Sequence, residues 1–282
     1  MSYPQADLIE ALAKAKQGQL DQALMSRAID ALNTSKEMPV YNRLENAGTM
    51  ARYVMTRLGE LRATNAIPVL GDLLFVGHFE HAAATALGKM GSREAIPALL
   101  KRLDYAPTSE VLRALADIGD PSVCDTILEH LATYGEVLTY RALKTLTVLR
   151  DRRAIPILRE HIKSGKECGD ECGLLITFGD PLALEVMIDS FWKRVAGAKS
   201  GRCTPSITEA KGRKWTRATR KHCIELYMHE LVEFVNKIPE DATECLPLLS
   251  QMDRFFVRRR LPPSVRQSAR RAMNRIRNRK SK

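Results

Sequence analysis

Apolar residues along most of this chain recur three and four positions apart, in short runs separated by a glycine or a proline. In HFEHAAATALGKMGSREAIPALLKRL, His78 to Leu103, the residues Phe79, Ala83, Ala86, Leu87 and Met90 share one face of a 3.6-residue period. The run stops at Gly91, a residue type that takes the left-handed conformation beyond a helix C-terminus at little cost. It resumes at Ile96-Pro97, where proline stands in a first turn that needs no N–H from it. The stretch therefore predicts two helices joined by a tight turn. Val111, Leu112, Leu115 and Ile118, followed by Gly119, write the first of these helices again. Ala82, Ala83, Ala84 and Ala86 have short side chains that let neighbouring helices approach closely.

The second helix has echoes in NAIPVLGDLL, EAIPALLKRL, PSVCDTILEHL, RAIPILREHI and PLALEVMIDSF. With Ile67, Ile96, Cys124, Ile155 and Leu184 taken as equivalent, the successive spacings are 29, 28, 31 and 29 residues. Pro68, Pro97, Pro121 and Pro156 open the second helices. One such pair cannot bury its apolar face alone, so the pairs must stack.

The segment AAATALGKMGSREAIPALLKRL resembles the HEAT-like repeats first associated with phycobilisome lyases, with their A-x-x-A-L-G-x-(I/M)-G-(D/S)-x-x-A-(I/V)-P-x-L pattern. The likeness is close over Ala66 to Leu103 and looser over Val111 to Phe191. It implies an all-α, right-handed α-solenoid of HEAT-like helical hairpins whose second helices line the concave side. That resemblance would place Asp72, Lys101, Arg102, Glu129, His130, Glu160, His161, Asp189, Lys193 and Arg194 on or near a partner-binding surface. It implies a superfold and no particular activity.

Toward the N-terminus, DLIEALAKAKQG and DQALMSRAIDALN read as a helical hairpin, so residues 1–45 are expected to cap an array that runs through 46–192. The segment 193–214 is rich in small, polar and basic residues and reads as a loop or insertion. Helical periodicity then returns in 215–282. Leu246-Pro247 stand 62 residues, about two periods, after Leu184, and Val265, Ala269, Ala272, Met273 and Ile276 repeat the offsets of Phe79 to Met90. Residues 215–282 are thus expected to be degenerate, basic repeats of the same kind.

Charge sharpens this division. Lys193 to Lys282 holds 23 Lys and Arg against 8 Asp and Glu, whereas the remainder holds 21 against 25. Arg254 to Lys282 has 12 basic residues and no acidic one. Since the apolar positions of the last helix are used for packing, Arg266, Arg270, Arg271, Arg275 and Arg277 are expected on exposed faces. Arginine presents a planar multi-donor fork to phosphate oxygens, and contacts of that type are backbone-directed and salt-sensitive. Lys211, Arg213, Lys214, Trp215, Arg217, Arg220, Arg254, Arg258, Arg259 and Arg260 complete the expected nucleic-acid-binding set, for DNA or RNA. An acidic protein is the competing partner.

Catalytic signals are sparse. No glycine-rich phosphate loop, H-E-x-x-H or G-x-S-x-G occurs. His78 and His81 flank Glu80, and Glu129-His130 and Glu160-His161 share a repeat position. Deoxyhypusine hydroxylases are HEAT-like enzymes that hold two irons with repeated His-Glu pairs, but here that order occurs only at His229-Glu230. These histidines read as polar residues of solvated helix faces. Cys168 and Cys172 are spaced C-x3-C, with Cys203 and Cys223 remote, so they read as ordinary thiols, and neither metal nor cofactor is expected. HEAT-like alkylpurine DNA glycosylases use aromatic and acidic residues along a basic groove, which Trp192 with Asp189, and Trp215 among its basic neighbours, echo faintly. With no basic-then-apolar leader and no run of 18 apolar residues, the chain is expected to be soluble and cytoplasmic, without membrane attachment. The leading reading is a non-catalytic repeat scaffold whose basic C-terminal third binds nucleic acid. A bilin lyase-related enzyme or chromophore chaperone, a pure protein-interaction scaffold and a DNA glycosylase are the alternatives.

Overall fold

A left-handed residue five positions before the aligned residue marks five of the repeats. The computed structural model describes residues 6–17, 20–37, 46–163, 169–200, 217–250, 252 and 263–279. Positive φ angles occur among them at Arg62 (53°), Gly91 (64°), Gly119 (77°), Arg150 (61°) and Gly179 (76°). Each stands five positions before Ile67, Ile96, Cys124, Ile155 or Leu184, the residues aligned by sequence. Glycine meets this need without strain; the two arginines bear a cost of about 1–2 kcal/mol. The stop is therefore structural in all five repeats, although glycine marks it in only three.

A side-chain cap comes immediately after the stop in three of the repeats. The side chains of Ser92, Asp120 and Asp180 accept from the backbone N–H groups of Glu94, Ser122 and Leu182 at 3.3, 2.9 and 3.0 Å. A single 3-10 turn, Thr64–Ala66, Arg93–Ala95 or Pro121–Val123, leads into the second helix. These turns leave no period of their own in the sequence. Thr243–Cys245 is another, and it leads into a helical stretch at 246–250, although no left-handed residue stands five positions before Leu246.

Two compact units divide the chain, Met1–Asp151 and Arg152–Lys282. The division falls inside the 46–192 stretch expected as one array. In the first unit, helices α1 (Ala6–Lys14) and α2 (Gln22–Lys36) form the expected terminal hairpin against α3 (Asn46–Glu60). Arg57 of α3 donates to the carbonyls of Leu12 and Ala15, closing the C-terminus of α1. Then come α4 (Ile67–Leu73), α5 (Glu80–Met90), α6 (Ile96–Tyr105), α7 (Ser109–Ile118), α8 (Cys124–Leu131) and α9 (Glu136–Val148). First helices α3, α5, α7 and α9 pack in succession, and α4 and α6 lie against α5 and α7 respectively. Gly59 and Gly88 let the row close up: a Cβ on Gly59 would lie 2.8 Å from Ala86 Cα, and one on Gly88 2.9 Å from Ala114 Cα. Phe79, Leu70, Leu73, Leu87, Leu99 and Leu103 fill the space between the rows and are fully or almost fully buried.

The second unit consists of α10 (Ala154–Lys163), α11 (Gly169–Ile176), α12 (Pro181–Ser200), α13 (Arg217–Asn236), the stretch at 246–250 and α14 (Pro263–Arg279). Consecutive helices pack on one another. Arg159 brings Nε and Nη2 to Asp180 Oδ2 at 2.8 and 2.7 Å. Cys245 Sγ donates to the carbonyl of Gly179 at 3.4 Å, and burial, with the charges of Asp180 and Glu244 behind it, pushes that thiol up to about 11. The loop or insertion does not begin at 193, because α12 continues through Ser200. Val195 is buried at 3% exposure and Lys193 pairs with Asp189 one turn back at 2.7 Å, which together outweigh the cost of about 1 kcal/mol for Gly197 inside the helix. Residues 201–214 lie outside the described residues.

Candidate functional site

The second helices of the first unit carry five residues of the expected partner surface, Asp72, Lys101, Arg102, Glu129 and His130. Arg102 is not available to a partner. Its side chain is only 9% exposed, its Nη2 lies 2.7 Å from Glu80 Oε2, its Nε donates to the Leu74 carbonyl at 3.0 Å, and its Nη1 donates to the Ala106 carbonyl. The guanidinium thus ties α4, α5 and α6 together from inside. It projects inward because the helix that bears it is amphipathic with Leu99 and Leu103 on the same buried side. Lys101 does face out, with Nζ 5.5 Å above the ring of Phe75.

Phe75 and Tyr105, which the sequence pattern alone did not single out, belong to this surface. They are 40% and 77% exposed and meet edge to face with centroids 5.8 Å apart. An aromatic one or two residues past the last core leucine of a second helix was the available signal. His130 Nε2 donates to Asp104 Oδ1 at 2.9 Å, and the ring stacks on Tyr134 with centroids 6.4 Å apart. Burial, with the Asp104 carboxylate nearby, raises the Tyr134 hydroxyl to about 12. Glu129 is exposed on the same helix.

In the second unit Glu160 is exposed and His161 half-buried on α10, while Asp189 is held by Lys193. Arg194 pairs with Glu230 at 2.7 Å and lies 5.4 Å above the Tyr227 ring. These three residues, with Met187, Ser190, Phe191 and Leu231, line a small groove between α12 and α13. Trp192 meets Phe191 edge to face at 5.1 Å.

The basic helix α14 has a sharply divided surface. Ser268, Ala269, Ala272, Met273 and Ile276 are buried against the unit, whereas Arg270, Arg271, Arg275, Arg277 and Arg279 are exposed. Arg275 is nonetheless committed elsewhere: its Nη2 donates to the carbonyls of Asn236 and Ile238 at 3.2 and 3.5 Å, closing the C-terminus of α13 as Arg57 closes α1. A cation is favoured there because backbone carbonyls at a helix C-terminus are left unsatisfied. Arg279 leans 3.8 Å from Asp241. Arg270, Arg271 and Arg277 are exposed on the same helix. Arg217 and Arg220 lie on α13 and Arg266 on α14 at positions whose side chains are outside the described residues. Lys211, Arg213, Lys214, Trp215, Arg254, Arg258, Arg259 and Arg260 also lie outside them.

Two further histidines lie near carboxylates. His81 Nδ1 lies 3.4 Å from Glu110, and His229 Nε2 lies 3.4 Å from Glu233. Among the described residues no three His, Cys, Asp or Glu side chains gather as metal ligands would. Cys124, Cys172 and Cys245 are buried, and Cys168 and Cys203 fall outside the described residues. No described helix is long and apolar enough to cross a membrane.

Residues 80–105, which are α5, the Arg93–Ala95 turn and α6, match the family model of the PBS lyase HEAT-like repeat. No curated protein matches the chain. The matched pair has its left-handed stop and 3-10 turn in register with the pairs on either side of it, which supports reading the chain as a HEAT-like repeat protein.

Proposed function

We propose that this protein is a non-catalytic repeat scaffold whose basic C-terminal helix holds nucleic acid by its phosphate backbone. The observation that carries the reading is the outward set Arg270, Arg271 and Arg277 on α14, in a stretch from Arg254 to Lys282 without one acidic residue. Guanidinium groups in that setting meet phosphate oxygens without first breaking an ion pair within their own helix. Neutralising Z phosphates releases counterions, so affinity falls with salt in proportion to Z.

The test is fluorescence anisotropy of the full-length protein with a short duplex DNA and a short RNA over a salt series, compared with R270E/R271E/R277E. Circular dichroism should show both proteins equally helical, because the replaced side chains are outside the packed face. Affinity of the original protein should fall steeply with salt, and the variant should lose about one unit of salt slope for each phosphate contact removed. Equal affinity of the two proteins would refute the proposal.

A further inference from the structure

Exposed residues on α14 form a pattern beyond mere positive charge. With about 100° per residue and Asn274 as origin, Gln267 and Asn278 lie within about 40° of it, along the outermost line of the helix. Arg270 and Arg277 lie about 40–60° to one side, and Arg271 about 60° to the other. The buried set of Ser268, Ala269, Ala272, Met273 and Ile276 is centred on the opposite face, and all the residues of the outer set are exposed. A central line of amides is thus flanked by guanidinium groups.

We infer that α14 is a groove-entering helix for double-stranded DNA, with its arginines on the phosphates of the two groove walls and its amides toward the base edges. The inference rests on the nucleic-acid reading above and adds the class of substrate. Three features select it. An α-helix with side chains is about 10–12 Å across, and the major groove of B-DNA is about 12 Å wide, whereas the A-form major groove is too deep and narrow to be read. Arg270 and Arg277 are separated by about 10 Å along the axis, which allows contacts to more than one phosphate on a strand. No Phe, Tyr or Trp occurs from Pro263 to Arg279, so the helix offers no platform on which unpaired bases would stack. Arginine with guanine and asparagine or glutamine with adenine are the pairings that base edges accept in this groove. Arg275 and Arg279 turn toward the end of α13 and Asp241, and they are not part of the DNA-facing set.

The decisive experiment measures binding of the full-length protein to five probes: a duplex DNA, the same duplex with glucosylated hydroxymethylcytosine filling its major groove, a duplex RNA of equal length, single-stranded DNA and heparin. Duplex DNA is expected to bind at least tenfold more tightly than the glucosylated duplex or the RNA. N274E, which places a carboxylate on the outermost line, should lose at least tenfold in duplex DNA affinity with helicity unchanged. Equal binding of all five probes would overturn groove entry while leaving the phosphate-backbone reading intact. Preference for single-stranded DNA would likewise overturn it. Binding to none of them would remove both this inference and the reading beneath it.

Discussion

The two units use charge in different ways. Met1–Asp151 contains 16 Lys and Arg against 18 Asp and Glu, and Arg152–Lys282 contains 28 against 15. In the first unit, pairs such as Lys36–Asp72, Lys89–Glu60, Arg93–Asp120, His81–Glu110 and His130–Asp104 join neighbouring helical hairpins, most of them near one repeat length apart in sequence. Charge there is divided among neighbours and nearly cancels. In the second unit, Arg159–Asp180 and Arg194–Glu230 do the same between helices, but α14 carries arginines with no carboxylate of its own. The same hairpin architecture thus uses ion pairs to register repeats in one unit and presents a surface of one sign in the other. Exposed pairs contribute little each, about 0–1 kcal/mol, so their role is register more than stability.

Substitutions should separate these uses. The largest expected stability effect is at Arg102. R102A leaves the Glu80 carboxylate and the Leu74 and Ala106 carbonyls without their shared donor, and should destabilise the first unit by about 3 kcal/mol in urea unfolding. R270A and R277A should stay within about 0.5 kcal/mol of the original protein in the same assay, since surface replacements away from packing are near neutral. A loss at Arg270 equal to that at Arg102 would erase the contrast.

Next come the close approaches. G88A drives a methyl group into the Ala114 backbone, and G179A combines a 2.7 Å clash with Ala242 Cβ with a left-handed φ. Each should cost about 1–3 kcal/mol, one in each unit, measured by thermal unfolding. Unchanged melting of G88A would mean that α5 and α7 separate freely. A smaller change of opposite sign is expected at Arg62, where R62G relieves left-handed strain and should stabilise by about 1 kcal/mol.

Smallest is the response to acid. Hydrogen bonds and charge from Arg57 and Lys89 hold Glu60 below the usual carboxylate range, and the Ser122 backbone N–H and hydroxyl, with the Arg93 charge behind them, do so for Asp120. Burial opposes the shift at Glu110, but its own backbone N–H and Ser109, with smaller help from the His81 and Arg113 charges, still lower it. A folded-state pKa below the unfolded value gives stability that is present above the unfolded carboxylate range and lost as pH falls through the folded one. Urea midpoints for the first unit should therefore decline modestly from pH 5 toward pH 3. A midpoint that rises on acidification would contradict the assignment of these pairs.

The helical pairs, their spacing and their order were legible because burial on one face of a helix leaves a 3.6-residue signal, and a stop glycine or an opening proline punctuates it. The aligned positions Ile67, Ile96, Cys124, Ile155 and Leu184 all fall at the same place in the backbone. Arg62 and Arg150 were not legible as stops, since arginine in the left-handed conformation carries no distinctive type and only the chain around it enforces the turn. The end of α12 was misplaced for a related reason. Gly197 and the basic, small residues around it look like a loop, yet burial of Val195 and the Asp189–Lys193 pair extend the helix.

Residue type and period suffice for a helix face, because each depends only on neighbours three or four positions away. They told that arginines of the last helix lie outside its apolar stripe. They did not tell which guanidinium groups are drawn into holding helices together. Arg102 and Arg275 have the same side chain as Arg271 and Arg277, but their guanidinium groups lie within reach of carbonyls supplied by other helices. That distinction arises when distant segments are brought together, and so it belongs to the tertiary structure: a donor's partner is set by what packs beside it, and the hydrophobic period records only which side faces in.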